Sequence, residues 1–129
     1  QAVAGLNAAL KWILEQGVES IYQKEKEYTT KLVDIIKGYS NIKLVGYKDD
    51  ESNIGVVSCL FDGYSSDNIG QVLNEQDIAV RTGLHCSPIA HEFFGTSPEG
   101  TVRFSIGYFN TDEDLEKLQD ALDYIELNG

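Results

Sequence analysis

Residues 81–88, RTGLHCSP, bring a guanidinium, an imidazole and a thiol together within one short segment. The chain contains two arginines, two histidines and two cysteines, and one of each lies here. A thiol beside cationic groups is held more readily as the thiolate, which is the nucleophilic form. An arginine guanidinium binds a carboxylate or phosphate through two parallel hydrogen bonds. The segment therefore predicts a functional site.

Cys86 is the candidate nucleophile of this segment. It lies in a loop after a predicted strand, between His85 and the pair Ser87 and Pro88, which has the N-cap and N1 pattern of a short helix reaching Phe94. Helix N-termini and neighbouring cations both favour a thiolate. The alternative is a loop cysteine without function, since a neighbouring Cys-His pair is a weak signal by itself.

Arg103 is the candidate carboxylate-binding residue. Residues 101–106 alternate between core and polar positions, and Arg103 lies on the polar face of that predicted strand. It is either a clamp for the carboxylate of a small substrate or a surface arginine paired with an acid. Arg81, at a strand end before Gly83, either contacts substrate or supports the loop.

Metal binding is the next alternative for this region. His85, Cys86, His91 and Glu92 are ligand types, but they lack the CxxC or HxxxH spacing that is typical of structural zinc. No metal is therefore expected. His91 is expected on the exposed or half-buried face of the short helix.

Hydrophobic periodicity predicts nine elements that position these residues. The run IGVVSCLF predicts a strand buried on both faces, with Cys59 as a small buried hydrophobic residue. A capping-box-like pair, Thr111 and Asp114, begins the last helix. Helices are predicted at residues 2–16 and 18–37, from Ser65 or Ser66 to Leu73, at 88–94 and from 111; strands are predicted at 42–47, 54–61, 78–81 and 101–106.

The order α-α-β-β-α-β-α-β-α with short loops predicts an α+β domain, in which helices pack mainly on one side of a small sheet. A length of 129 residues fits one domain. The net charge of -11 argues against a nucleic-acid partner, which needs a basic surface. No apolar run approaches the ~20 residues that span a membrane, and no secretion signal is evident.

The chain contains no methionine, so Gln1 is not expected to be a natural start. We expect a processed product or, since the chain opens directly in a helical pattern, a piece of a longer protein. Two cysteines without a secretion signal favour free thiols and a cytoplasmic location.

RTGLHCSP, followed by TVRFSIGYFNTDEDLEKL, resembles the C-terminal part of cysteine desulfurases, which belong to the class V aminotransferase superfamily. The Arg-x-Gly-x-His-Cys loop and the Val-Arg-Phe-Ser strand are specific together, and the loop is similar to the SUF-type branch. The resemblance covers most of the chain. It implies the small C-terminal domain of a fold-type I pyridoxal phosphate enzyme.

The resemblance implies conversion of L-cysteine to L-alanine with pyridoxal phosphate, leaving a persulfide on the enzyme. By this resemblance Cys86 is the persulfide-carrying nucleophile, and Arg103 binds the substrate carboxylate. His85 has an auxiliary role, and Arg81 lies near the active site. Leu84 replaces a frequent second histidine, so selenocysteine or another amino acid stays open as substrate.

The family's cofactor-binding lysine belongs to a preceding large domain, and none of the eight lysines here has a similar context. We therefore expect residues 1–129 to be a single small domain, with residues 1–17 as a linker helix from that large domain. The chain alone is expected to bind no pyridoxal phosphate and to be inactive. The parent is expected to form a homodimer and to serve a sulfur-acceptor protein.

Two interpretations from other classes stay open. The chain is alternatively a stand-alone thiol relay or sulfur carrier that uses Cys86, or a regulatory α+β binding module without chemistry. An upstream large domain with a lysine-bearing cofactor motif separates the first interpretation from these two.

Overall fold

The computed structural model describes residues 1–49 and 52–128, and it contains the nine elements in the predicted order. No helix in these ranges is long and apolar enough to cross a membrane. The elements are α1 (Ala2–Gln16), α2 (Val18–Lys37), β1 (Ile42–Val45), β2 (Val56–Phe61), α3 (Ser66–Glu75), β3 (Arg81–Gly83), α4 (Pro88–Phe94), β4 (Thr101–Ser105) and α5 (Asp112–Asn128).

The four strands form one antiparallel sheet in the order β1-β2-β4-β3. Neighbouring side chains of a strand point to opposite faces, so the sheet has two distinct surfaces. One surface carries the core, where β2 and β4 contribute alternate residues against α2, α3 and α5. Its buried strand residues are Ile42, Val57, Cys59, Phe61, Val102 and Phe104. The predicted α+β class, with helices mainly on one side, is confirmed.

The amphipathic helices cover this core because their apolar residues recur at helical spacing. The apolar face of α5 is buried. Helix α3 begins after Ser65, whose hydroxyl accepts a hydrogen bond from the backbone N–H of Asn68. The capping box that begins α5 is confirmed. Asp114 accepts from the backbone N–H of Thr111 at 2.9 Å, and the Thr111 hydroxyl accepts from that of Asp114 at 3.4 Å.

The prediction of a strand over residues 78–81 was wrong, because β3 comprises Arg81–Gly83. The backbone N–H of Ile78 donates to the carbonyl of Leu73, and this bond closes the end of α3. Residues 78–80 therefore leave the helix as a connection, and pairing with β4 begins only at Arg81.

The prediction that residues 54–61 are buried on both faces was also wrong. Alternate residues of β2 are buried, while Val56 is exposed and Ser58 and Leu60 are half-buried. The strand also begins two residues later than predicted, at Val56, and Gly55 precedes it with φ 73°. The outer sheet face packs against the short helix α4, and in β2 it is less buried than the core face.

Two further strand predictions run past the observed ends. β1 ends at Val45 rather than at residue 47, and Gly46 follows with φ 66°. β4 ends at Ser105, although the backbone N–H of Ile106 still donates to the carbonyl of Gly55 at 2.7 Å. β4 ends opposite Val56, the first residue of β2, whereas β1 ends at Val45, opposite Ser58. Local sequence does not specify this register.

Candidate functional site

Both arginines lie on the outer face of the sheet. Arg81 of β3 is the register partner of Arg103 of β4, and Arg103 is in turn opposite Ser58 of β2. In an antiparallel pair, residues directly opposite each other project from the same face. The antiparallel register therefore places two guanidinium groups and one hydroxyl in a row across this surface, which we call the arginine face.

Arg103 has no acidic partner among residues 1–49 and 52–128. The salt bridges in those ranges are made by lysines, and Nε of Arg103 is buried without a hydrogen-bond partner. The interpretation of Arg103 as a surface residue paired with an acid is thus unsupported by the described residues. A buried guanidinium nitrogen without a partner is costly, and an anionic ligand would satisfy it.

The loop after β3 is a tight turn. The backbone N–H of Ser87 donates to the carbonyl of Leu84 at 2.8 Å, so His85 and Cys86 are the two central residues. Both have positive φ, 48° and 62°. This left-handed region costs a residue with a side chain about 1–2 kcal/mol. Such strain persists where surrounding contacts hold the backbone, and it is enriched at functional sites.

His85 turns its ring back onto β4. Its Nε2 lies 3.2 Å from Oγ1 of Thr101, which is buried, while its Nδ1 is buried without a partner in the described structure. Burial lowers the pKa of His85 below the usual 6.5, and the positive charges of Arg103 and Arg81 lower it further. At neutral pH the imidazole is therefore neutral.

The two cysteines have opposite environments. Cys86 is an exposed free thiol in the turn, whereas Cys59 is 0% exposed within β2. Burial raises the pKa of the Cys59 thiol to about 12, which makes it inert at neutral pH. The prediction of Cys59 as a small buried hydrophobic residue is confirmed.

Helix α4 lies across the arginine face and forms a cavity with it. Ser87 and Pro88 begin the helix as predicted, although the Ser87 side chain makes no capping hydrogen bond. The cavity has a volume of about 280 Å³. It is lined by Val45, Ser58, His85, Ser87, Ala90, His91, Phe94, Thr96, Thr101 and Arg103. It thus combines a guanidinium, two imidazoles and hydroxyl groups with an apolar wall.

The prediction that His91 lies on an exposed or half-buried face of α4 was wrong. It is buried at 8% exposure and faces the cavity, because α4 packs this side against the sheet. Its Nδ1 is hydrogen-bonded to Oγ1 of Thr96 at 2.7 Å. The sequence alone gave no signal for this contact, since Thr96 lies in a turn beyond the helix.

The structure brings together four of the predicted site residues. Arg81 and Arg103 pair across the sheet, His85 and Arg103 line one cavity, and Cys86 follows His85 in the same turn. Within the described residues, Arg81 and Cys86 are not part of the cavity lining. Thr101 also lines the cavity and contacts His85, a role that the sequence analysis did not assign to it. Strand alternation could have indicated this role, because it places Thr101 on the same face as Arg103.

The described ranges contain no side-chain cluster that supports metal binding. No group of three or more histidine, cysteine, aspartate and glutamate side chains there is arranged to hold a metal ion.

The fold and the geometry define a small α+β domain that presents an exposed thiol in a strained turn beside an arginine-bearing sheet face. The family model described as Aminotransferase class-V matches residues 1–118, and the chain belongs to that family. A cysteine desulfurase of Synechococcus elongatus is 35% identical over 125 residues, which cover 97% of this chain and 19% of that protein.

Solved structures share the fold. The apo structure of a cysteine desulfurase from Thermococcus onnurineus NA1 superposes with a TM-score of 0.86 at 24% identity, over 94% of this chain and 30% of that one. A C-DES variant with glycine covalently linked to its PLP cofactor has a TM-score of 0.71 at 26% identity, over 92% of this chain and 28% of that one. The chain thus spans between 19% and 30% of these three proteins.

Proposed function

We propose that this chain is the small C-terminal domain of a pyridoxal-phosphate-dependent cysteine desulfurase, in which Cys86 accepts the substrate sulfur. The proposal rests on one arrangement. Cys86 is an exposed thiol in the strained turn that follows β3, and β3 carries Arg81 directly opposite Arg103; neither arginine has an ion-pair partner in the described ranges. Substrates of this reaction carry a carboxylate and a sulfur, and the arrangement supplies one group for each.

The proposed transfer of sulfur from L-cysteine to Cys86 needs no external oxidant. The Cys86 thiolate attacks the sulfur of L-cysteine, an S–S bond forms and the C–S bond of the substrate breaks. The substrate carbon keeps the bonding electron pair and takes a proton, so the products are L-alanine and a Cys86 persulfide. Pyridoxal phosphate, when bound to the whole protein, would supply the electron sink that this cleavage requires.

Arg103 is proposed to bind the substrate carboxylate. Because Arg103 lies on a strand rather than on a loop, the sheet hydrogen bonds hold its backbone in place. A bidentate bond from the guanidinium would then orient the substrate. Arg81 lies directly opposite and is proposed to add positive charge to the same face. His85, neutral at physiological pH, is proposed as an auxiliary hydrogen-bonding group beside the thiol.

The described residues of the cavity do not fit pyridoxal phosphate by themselves. Its lining contains no lysine that could form a Schiff base and no carboxylate that could pair with the pyridine nitrogen. We therefore assign cofactor binding to a large domain of the whole protein. The chain alone is proposed to be inactive.

Helix α1 supports the proposal that residues 1–17 link to a large domain. None of its residues is buried, although apolar side chains recur along one face. Val3, Leu6, Leu10 and Leu14 are exposed, so this face is suited to packing against another domain. Within the chain, Trp12 contacts the rings of Tyr108 and Phe109 and attaches the helix to the domain.

We further propose a cytoplasmic homodimer that passes sulfur from the exposed Cys86 to an acceptor protein. Two free thiols are typical of a reducing compartment. The formal charge of -11 supports partners other than nucleic acid.

The test is the reaction of the whole protein that carries this sequence. With pyridoxal phosphate, L-cysteine and a thiol reductant, it should release equal amounts of alanine and sulfide. The C86A variant should lose sulfide release, and C59A should keep it because Cys59 lies in the core, away from the cavity. Full sulfide release by C86A, or no alanine from the unmodified protein, would refute the proposal. The 129-residue chain alone should give neither product.

A further inference from the structure

His91 is the buried member of a pair of histidines next to the Cys86 turn. Its ring centroid lies 5.8 Å from that of His85, and the two ring planes are inclined by 44°. The reaction described above assigns no role to this imidazole. Nevertheless it lines the cavity together with His85.

Thr96 fixes the orientation of His91. Oγ1 of Thr96 lies 2.7 Å from Nδ1 of His91, and the backbone N–H of Thr96 donates to the carbonyl of His91 at 2.8 Å. Thr96 is itself buried, and it follows Gly95, whose left-handed backbone ends α4 with φ 69°. Because the ring is bonded and buried, it has little freedom to rotate.

The His85 ring therefore has a neighbour on each of two elements. Its Nε2 lies 3.2 Å from Oγ1 of Thr101 of β4, and its ring centroid lies 5.8 Å from that of His91 of α4. The turn that carries His85 and Cys86 has positive φ at both residues, a backbone conformation that depends on external support. His91 belongs to α4 and Thr101 to β4, so the support comes from two different elements.

We propose that His91 is a positioning residue: locked by Thr96, it holds the His85 ring against Thr101 and keeps the Cys86 turn in one conformation. Only the consequence for sulfur transfer rests on the proposed function. The support of the turn is a property of the 129-residue chain and is testable without catalysis.

The first experiment uses the 129-residue chain with four variants. T96V removes the hydroxyl with little change of shape, and H91F keeps an aromatic ring but removes Nδ1. T96S keeps the hydroxyl and should rescue. T30V is a matched control, because the Thr30 hydroxyl bonds to the carbonyl of Lys26 on the exposed side of α2. The readouts are the His85 side-chain NMR signals and the alkylation rate of Cys86.

T96V and H91F should shift and broaden the His85 signals and change the alkylation rate of Cys86 by about 3- to 10-fold, since the turn opens locally. T96S and T30V should match the unmodified chain. The proposal is overturned if folded T96V leaves both readouts unchanged. If H91F does not fold, the comparison of T96V with T96S decides by itself.

The second experiment measures steady-state kinetics in the whole protein. T96V should lower kcat by about 10- to 100-fold, with KM for L-cysteine within about 2-fold, because thiol placement acts on the chemical step. T96S should restore kcat. An equal loss in T96S, or a change confined to KM, contradicts a positioning role. If the unmodified protein releases no sulfide, the proposed function fails, whereas the NMR and alkylation results still decide the role of His91.

Discussion

Arg81 and Arg103 are direct cross-strand partners, one on β3 and the other on β4. Like charges directly opposite each other in a sheet are destabilising, and neither guanidinium has an acidic partner in the described ranges. Nε of Arg103 is moreover buried without a hydrogen-bond partner among the described residues. The pair is thus unfavourable by itself, and an anion bound between the two side chains would relieve both the repulsion and the missing hydrogen bond.

Removing one charge of this pair should therefore stabilise the 129-residue chain. R81Q is expected to raise the free energy of unfolding by about 0.2–1 kcal/mol, the usual size of a cross-strand charge effect. Urea unfolding at low salt measures it, and added salt should shrink the difference. The control is K43Q, which breaks the 3.1 Å ion pair of Lys43 with Asp62 and should not stabilise. A loss of stability in R81Q would contradict the repulsion.

Under the proposed function, substitution of Arg103 should weaken substrate use by the whole protein. Because Lys cannot form the bidentate bond, R103K should lower kcat/KM for L-cysteine by about 10- to 100-fold, and R103A should lower it further. Steady-state kinetics with K117A as control checks this, since Lys117 lies on an exposed face with Asp77 at 3.8 Å. Unchanged kcat/KM in R103A would exclude Arg103 from substrate binding.

Cys86 should react with alkylating reagents far faster than Cys59 in the folded chain. The pKa of Cys59 is about 12, so at pH 8 only about one molecule in 10⁴ carries that thiolate, and the side chain is also buried. Mass spectrometry after timed exposure to iodoacetamide measures both rates. The rates should converge in denaturant. Equal rates in the folded chain would mean that the turn is not accessible.

The lowered pKa of His85 should make stability depend on pH below neutrality. Above the ordinary pKa of 6.5 the imidazole is neutral in both folded and unfolded chains, so its full contribution is present. As pH falls below 6.5, the unfolded chain takes up the proton more readily, and the free energy of unfolding decreases. Urea unfolding between about pH 7.5 and pH 5 measures this.

The H85Q variant should lose this part of the pH dependence. Asp112 and Asp114 also have lowered pKa values, from 3.8, and their stabilisation is lost only as pH falls below that value. The two pH windows are therefore separate. An NMR titration midpoint of His85 at or above 6.5 would contradict the stated cause.

Gly100 should be irreplaceable for the geometry of β3. It has φ 73°, and a Cβ there would lie 2.1 Å from backbone atoms of Gly83. G100A is expected to cost about 3 kcal/mol or more through strain and overlap. G17A is the matched control. Gly17 has φ 83°, but a Cβ there would have no described neighbour within 4 Å, so only about 1–2 kcal/mol of backbone strain applies. Thermal unfolding compares them, and equal losses would contradict the overlap.

The sequence by itself determined the features that depend on near neighbours. Periodicity located α1 and α2 to the residue, and Thr111 with Asp114 marked the start of α5, because helix hydrogen bonds and caps join residues three or four apart. The RTGLHCSP segment marked the candidate site because its arginine, histidine and cysteine are rare in this chain and adjacent in sequence.

Only the tertiary structure decided which of these residues meet. Local sequence places Arg81 and Arg103 on strands, but the register that pairs them arises from the β3–β4 ladder. Pairing of β3 with β4 begins at Arg81, opposite Arg103, after the backbone N–H of Ile78 has closed the end of α3. His91 is buried because α4 crosses the outer sheet face, and its Nδ1 is hydrogen-bonded to Oγ1 of Thr96. These relations join residues from separate elements, and their energies exist only once the elements have packed.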